Sequence, residues 1–213
     1  MGIVARTLSK HIEQIRTLVD DQDLVSANRH LLADTATRLF RSKGYHKTST
    51  RDIATEAGMS VGAIYQYIRH KEDLVVLILQ SFVEIYQKRI GSLVDGPESA
   101  TVRLHRVVAI YYRLLDEHHA KTDVLYHNFS GLGVQAKNYL VDIEEQVSGL
   151  MRRLIEEGVA DGTFRPVNAH FLAHNIVSMG HMWALKRRRF RNIMTLDDYI
   201  REQQAYLDMA LKP

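Results

Sequence analysis

The chain has 213 residues, of which 46% are hydrophobic and 25% charged, the balance of an ordinary globular protein with ample core volume. It has no cysteine, which excludes a disulfide framework, a thiolate metal site and a thiol nucleophile, and only 3 prolines and 12 glycines, which leaves few enforced helix breaks. No run approaches the roughly 18 consecutive apolar residues of a membrane span, and no apolar block of a signal peptide opens the chain, so no membrane association and a cytoplasmic location are expected.

In chain order the pattern is helical throughout. Leu8, Ile12, Ile15 and Val19 recur at helical intervals among Arg6, Lys10 and Arg16, as a short packed helix or a basic arm would. Leu32, Ala36, Leu39 and Phe40 then form one face of an amphipathic helix ending near Gly44. Ser49 caps the next short helix with Asp52 three residues on, and Gly58 closes it in the left-handed conformation. Ser60 caps a third helix that ends near Ile68. From Lys71 a longer pattern runs to about Val94, where Asp95-Gly96-Pro97 breaks it. Further helices are expected over about 100–118, 123–130, 136–160, 169–189 and 196–211, with no period-two strand.

The short pair around Ala57-Gly58-Met59-Ser60 has the requirements of a helix-turn-helix: small residues at Ala54 and Gly58, and an apolar wedge of Ile53, Ala57, Met59 and Ile64. Its second helix presents Val61, Gly62, Ala63, Gln66 and Tyr67. Short side chains at that end let backbone approach base edges in a major groove. Thr48, Ser49 and Thr50 offer hydroxyls and helix-start amides to phosphates, and Tyr65, Tyr67 and Lys71 add donors. Residues 1–71 carry 11 Lys and Arg against 7 Asp and Glu, so the positive excess lies beside this pair and points to a polyanion. A mere bundle corner is the competing reading.

The stretch ADTATRLFRSKGYHKTSTRDIATEAGMSVGAIYQYIRHKEDL, Ala33 to Leu74, resembles the DNA-binding domain of the TetR family of transcriptional regulators. Phe40, Gly44-Tyr45, Thr48-Ser49, Ile53-Ala54, Ala57-Gly58, Ser60, Gly62, Tyr65-Gln66-Tyr67, Lys71-Glu72 and Leu74 fall in its pattern. Ile68 stands where many relatives have phenylalanine. The resemblance implies an all-α protein with a helix-turn-helix DNA-binding domain, here over 26–71, and a larger helical ligand-binding and dimerisation domain, here over 72–213; the N-terminal helical extension over 1–25 is longer than many relatives show. The resemblance also implies a homodimer on a palindromic double-stranded operator, repressing until a small-molecule effector binds. By motif position Thr48, Thr50, Tyr65, Tyr67 and Lys71 are expected on phosphates and Val61, Gly62, Ala63 and Gln66 on bases; Ser49 and Ser60 complete the DNA-binding set.

Beyond residue 75 the resemblance thins. The dimer interface is expected on the last two helices, with Gly180 admitting a partner helix and Trp183 as an anchor. Tyr111, Tyr112, Tyr126, His127, Phe129, Met151, His174 and Trp183 are the expected effector lining. The C-terminal segment resembles members that sense fatty acyl-CoA, and Lys186–Arg191 could hold a CoA phosphate or be a solvated helix end. His170 and His174 lie one turn apart, with His181 further along, but no third metal ligand follows from the sequence, so no metal site and no cofactor are assigned. No phosphate-binding glycine loop, nucleophile elbow or HExxH occurs, so an enzyme is not expected. A metal-responsive regulator and an effector-independent architectural DNA-binding protein are the alternatives.

Overall fold

The computed structural model describes residues 19–128 and 133–213. The helix expected near the N-terminus, and Phe129, lie outside them. Among the described residues there is no strand, and no helix is long and apolar enough to cross a membrane.

Helix α1 (Gln22–Lys43) begins at Gln22 because Asp21 caps it, its side chain accepting from the amides of Asp23 and Leu24. It buries Leu32, Ala33, Ala36, Leu39 and Phe40, the face that the spacing predicts. Helices α2 (Thr50–Ala57) and α3 (Val61–Ile64) form the short pair, and α4 (Lys71–Ile90) follows. Regular geometry in α3 ends at Ile64, although the Ile68 amide still bonds back to its carbonyl. The long helix likewise stops at Ile90, and Gly91–Leu93 tightens into a 3-10 turn. Then come α5 (Ala100–Glu117), α6 (His119–Asn128), α7 (Val134–Ala160), α8 (Ala169–Leu185), a single turn α9 (Arg187–Phe190), and α10 (Leu196–Leu211).

The chain divides into two compact units. The first comprises the described residues of Met1–Val83 with those of Asp123–Ile143; the second comprises Glu84–Thr122 and Glu144–Pro213. Helices α4, α6 and α7 thus each contribute residues to both. The core of the first unit joins Leu32, Ala36 and Phe40 of α1 to Ile53, Ala54, Ile64, Ile68, Leu74 and Ile78, with Val124 from the downstream segment buried among them. Periodicity cannot show that a stretch fifty residues downstream completes this core, because it reports only which face of a helix is apolar.

The second unit is built on α5 packed against α8. Gly180 lies in their contact with no room for a side chain: a Cβ there would stand 2.7 Å from Leu115 Cδ1 and 2.8 Å from Tyr112 Cε1. The close approach expected for a partner helix is therefore made by the chain's own α5. Trp183 is fully buried too, donating from Nε1 to Asp116 at 2.9 Å and stacking on Phe190, so it anchors this unit's interior rather than an outer surface.

Candidate nucleic-acid interface and effector unit

The helix-turn-helix is assembled from local bonds. Ser49 and Asp52 cap α2 reciprocally: Asp52 N–H donates to Ser49 Oγ at 3.1 Å, and the Asp52 carboxylate accepts from Ser49 N–H at 2.8 Å. The Ser49 hydroxyl also donates to that carboxylate, and with the Ser49 amide and Lys43 it holds the Asp52 pKa down at about 2. Gly58 takes φ 67°, a left-handed angle that costs a side-chain-bearing residue roughly 1–2 kcal/mol. From there the Met59 amide bonds back to Ala54. Ser60 Oγ then accepts from Ala63 N–H at 3.0 Å and starts α3. Ile53, Ala54 and Ile64 form the buried wedge; Ala57 and Met59 are only partly buried against it.

The surface this leaves outward is short-chained. Ser60 and Gly62 are exposed, Val61 and Ala63 are half-buried, and Tyr65 and Gln66 project beyond them. Tyr65 is 47% exposed, and its hydroxyl lies 3.3 Å from Thr50 Oγ1, joining the start of α2 to the end of α3. Ser49 is exposed and Thr50 half-buried at the same edge.

Three residues of the expected set turn inward. The buried Thr48 hydroxyl donates to the Gly44 carbonyl at 2.8 Å. Tyr67 is buried and its hydroxyl accepts from Asn28 Nδ2 at 2.8 Å. Lys71 Nζ donates to the carbonyls of Tyr45 at 2.7 Å and Thr48 at 3.0 Å, and lies 4.2 Å over the Tyr45 ring. Burial lowers the pKa of that ammonium. Further exposed basic residues, outside the expected set, stand next to these elements in the chain: Lys47 and Arg51 at the start of α2, and Arg69 after Tyr67. Lys47 and Arg51 bracket the hydroxyl run Thr48–Thr50 in the sequence, which was the available signal for those two.

The expected effector lining separates. Tyr111, Tyr112, Met151 and Trp183 are buried in the second unit. Tyr126 and His127 are exposed and belong to the first unit, and His174 faces Glu145. The buried group is aromatic with a few polar tips. Tyr112 donates to the Ile176 carbonyl at 3.0 Å, and Tyr111 and His181 share a hydrogen bond of 2.9 Å. Burial pushes the His181 pKa down to about 4 and raises those of Tyr86 and Tyr112. Burial also opposes the Asp116 charge, but hydrogen bonds from Arg187 and Trp183 outweigh it and leave that carboxyl below its ordinary range. Arg187 and Arg191, two cations of the basic run at Lys186–Arg191, are thereby held on Asp116.

A tight helix-turn-helix core with a small-residue outer face, followed by a larger helical unit with an aromatic interior, defines a DNA-binding transcriptional regulator. Residues 32–78 match the family described as "Bacterial regulatory proteins, tetR family", and residues 97–185 match "Tetracyclin repressor-like, C-terminal domain". The chain is similar to the HTH-type transcriptional regulator HbdR of Aromatoleum sp. (strain CIB), 32% identical over 190 residues that span 89% of this chain and 83% of that protein. Two solved structures share the fold. One is FadR from Bacillus subtilis in complex with stearoyl-CoA, with TM-score 0.72 and 17% identity over 84% of this chain and 96% of that one. The other is AibR in complex with isovaleryl coenzyme A and operator DNA, with TM-score 0.68 and 19% identity over 87% and 98%. The chain belongs to the TetR family of transcriptional regulators.

Proposed function

We propose that the protein is a ligand-responsive repressor that binds a palindromic operator in the cytoplasm as a homodimer and is released by a small lipophilic effector of the acyl-CoA kind. The observation that carries this reading is the outward presentation of Ser60–Gln66, short-chained at its start, with exposed Lys47, Arg51 and Arg69 next to the helix pair in the chain. Such a surface enters a major groove while its flanks neutralise phosphates. Phe171 and Met179 on α8 and Tyr206 and Met209 on α10 are exposed apolar residues, as a face awaiting a second copy would have. The aromatic interior of the second unit suits an apolar chain. That FadR and AibR were solved with acyl-CoA compounds supports the effector class. The helices shared by both units offer the route: a ligand preferring one arrangement of the second unit acts on segments that also build the first. In this reading the chain has no catalytic role.

The test is selection from a random duplex library with the full-length protein, followed by anisotropy titrations against acyl-CoA thioesters of graded length. The expected result is an inverted repeat with half-sites spaced for two recognition helices about 34–36 Å apart, and weaker binding with one range of chain lengths. A protein that stays monomeric and enriches no sequence would overturn the proposal.

A further inference from the structure

Glu145 on α7 faces His170 and His174, one turn apart on α8, and all three lie in the second unit. The sequence places two imidazoles on one helix face; the fold adds a carboxylate from another helix. Each residue offers one ligand atom, and these atoms all lie within 4.8 Å of one another. Glu145 Oε2 is 3.6 Å from His174 Nε2, and the two rings meet edge-on with centroids 4.8 Å apart.

We propose that Glu145, His170 and His174 bind a first-row divalent cation, with Zn2+ the best match, leaving a further coordination position to water or an exogenous ligand. Two imidazole nitrogens and one carboxylate oxygen form the donor set of zinc centres with an open position, whereas magnesium and calcium require oxygen ligands throughout. Zinc bonds of about 2.0–2.1 Å place tetrahedral ligand atoms about 3.3 Å apart. The Glu145–His174 pair at 3.6 Å is already close to that spacing. His170 is exposed, so rotation of its side chain closes the wider distances without moving the backbone.

Arg152 decides what the site does without metal. Its Nη1 donates to Glu145 Oε1 at 3.1 Å and lies 3.3 Å from His170 Nδ1, while its Nε is 3.7 Å from Glu156. The guanidinium thus supplies positive charge to Glu145 through Oε1, the oxygen not paired with His174, and sits against His170. An entering ion exchanges one positive charge for another there, and Arg152 keeps Glu156. Metal binding therefore competes with Arg152 and fastens α7 to α8.

The experiment uses full-length, untagged protein stripped with a chelator and titrated with Zn2+ against a chromophoric competitor. Melting temperatures with and without Zn2+ and the visible spectrum with Co2+ are recorded alongside. The wild type is expected to take up one tight equivalent per chain, melt higher with Zn2+, and give the intense Co2+ bands of low coordination. His170→Ala, His174→Ala and Glu145→Gln are each expected to weaken that equivalent by at least roughly tenfold, the scale on which even outer-sphere changes act. Arg152→Gln is expected to bind more tightly than the wild type. If His174→Ala fails to fold, the exposed His170→Ala and the near-isosteric Glu145→Gln decide the matter. Wild-type uptake no tighter than that of these variants would overturn the site, and weaker binding by Arg152→Gln would overturn the competition. Neither readout depends on operator or effector.

Discussion

Replacing Lys71 by methionine tests two roles separately, fastening the helix-turn-helix and contacting a DNA phosphate. Methionine keeps the stem but removes the ammonium that bonds to the carbonyls of Tyr45 and Thr48 at 2.7 and 3.0 Å and lies over the Tyr45 ring. Hydrogen bonds from a charged group are each worth about 1.5–3 kcal/mol, and a cation over an exposed ring about 0.5–1 kcal/mol. Both must be discounted here. Lys71 is only partly buried, so water replaces some of what is lost, and burial lowers its pKa, so the charge carries a desolvation cost. A net loss of about 1–2 kcal/mol remains, or about 2–8 °C in melting temperature at 2–4 °C per kcal/mol for a chain of this size. An ammonium has three donors and two are occupied, which leaves one for a phosphate. Binding to duplex DNA should then lose about 0.9 from the magnitude of its log–log salt slope, the increment for one phosphate contact. Thermal unfolding and anisotropy at several salt concentrations measure the two effects separately. A melting temperature within 1 °C of wild type would refute the fastening role, at the scale such bonds set. An unchanged salt slope would refute the phosphate contact.

Two further outcomes follow from the second unit. Gly180→Ala should lower stability by about 1 kcal/mol: overpacking against Leu115 and Tyr112 costs about 1–3 kcal/mol, and the helix propensity gained returns about 1. Tyr112 cannot swing aside while its hydroxyl is bonded to Ile176, so a melting temperature equal to wild type would show that the contact yields. His181 has its pKa depressed from 6.5 to about 4, so between these values the unfolded chain binds a proton that the native chain refuses. Stability should be greatest above pH 6.5 and fall by at most about 3 kcal/mol on the way to pH 4, with His181→Gln flattening the fall in urea-unfolding midpoints; an identical pH profile in that variant would count against the assignment.

The order of the helices, the caps of α2 and α3 and the turn between them were legible in the sequence because they depend on neighbours in the chain. Ser49 with Asp52, Gly58 and Ser60 each act within four residues, and the apolar face of α1 is set by 3.6-residue periodicity. The outward face of α3 was legible only in part: Gly62 and Gln66 are exposed as expected, whereas Val61 and Ala63 are half-buried and Tyr67 is buried. What each polar side chain does was decided by tertiary structure. Thr48, Tyr67 and Lys71 are hydroxyl and ammonium groups that suit a phosphate equally well on paper, and only packing brings Gly44, Asn28 and the Tyr45 carbonyl within their reach. Gly180 needed the same information: a glycine in a helix announces a close approach but not which helix approaches, and here it is α5. The pairing of Glu145 with His170 and His174 is likewise invisible to spacing, since the carboxylate comes from another helix 25 residues away from the nearer imidazole. Local bonds are set by neighbours along the chain, whereas a polar group's partner is set by which helices the core brings together.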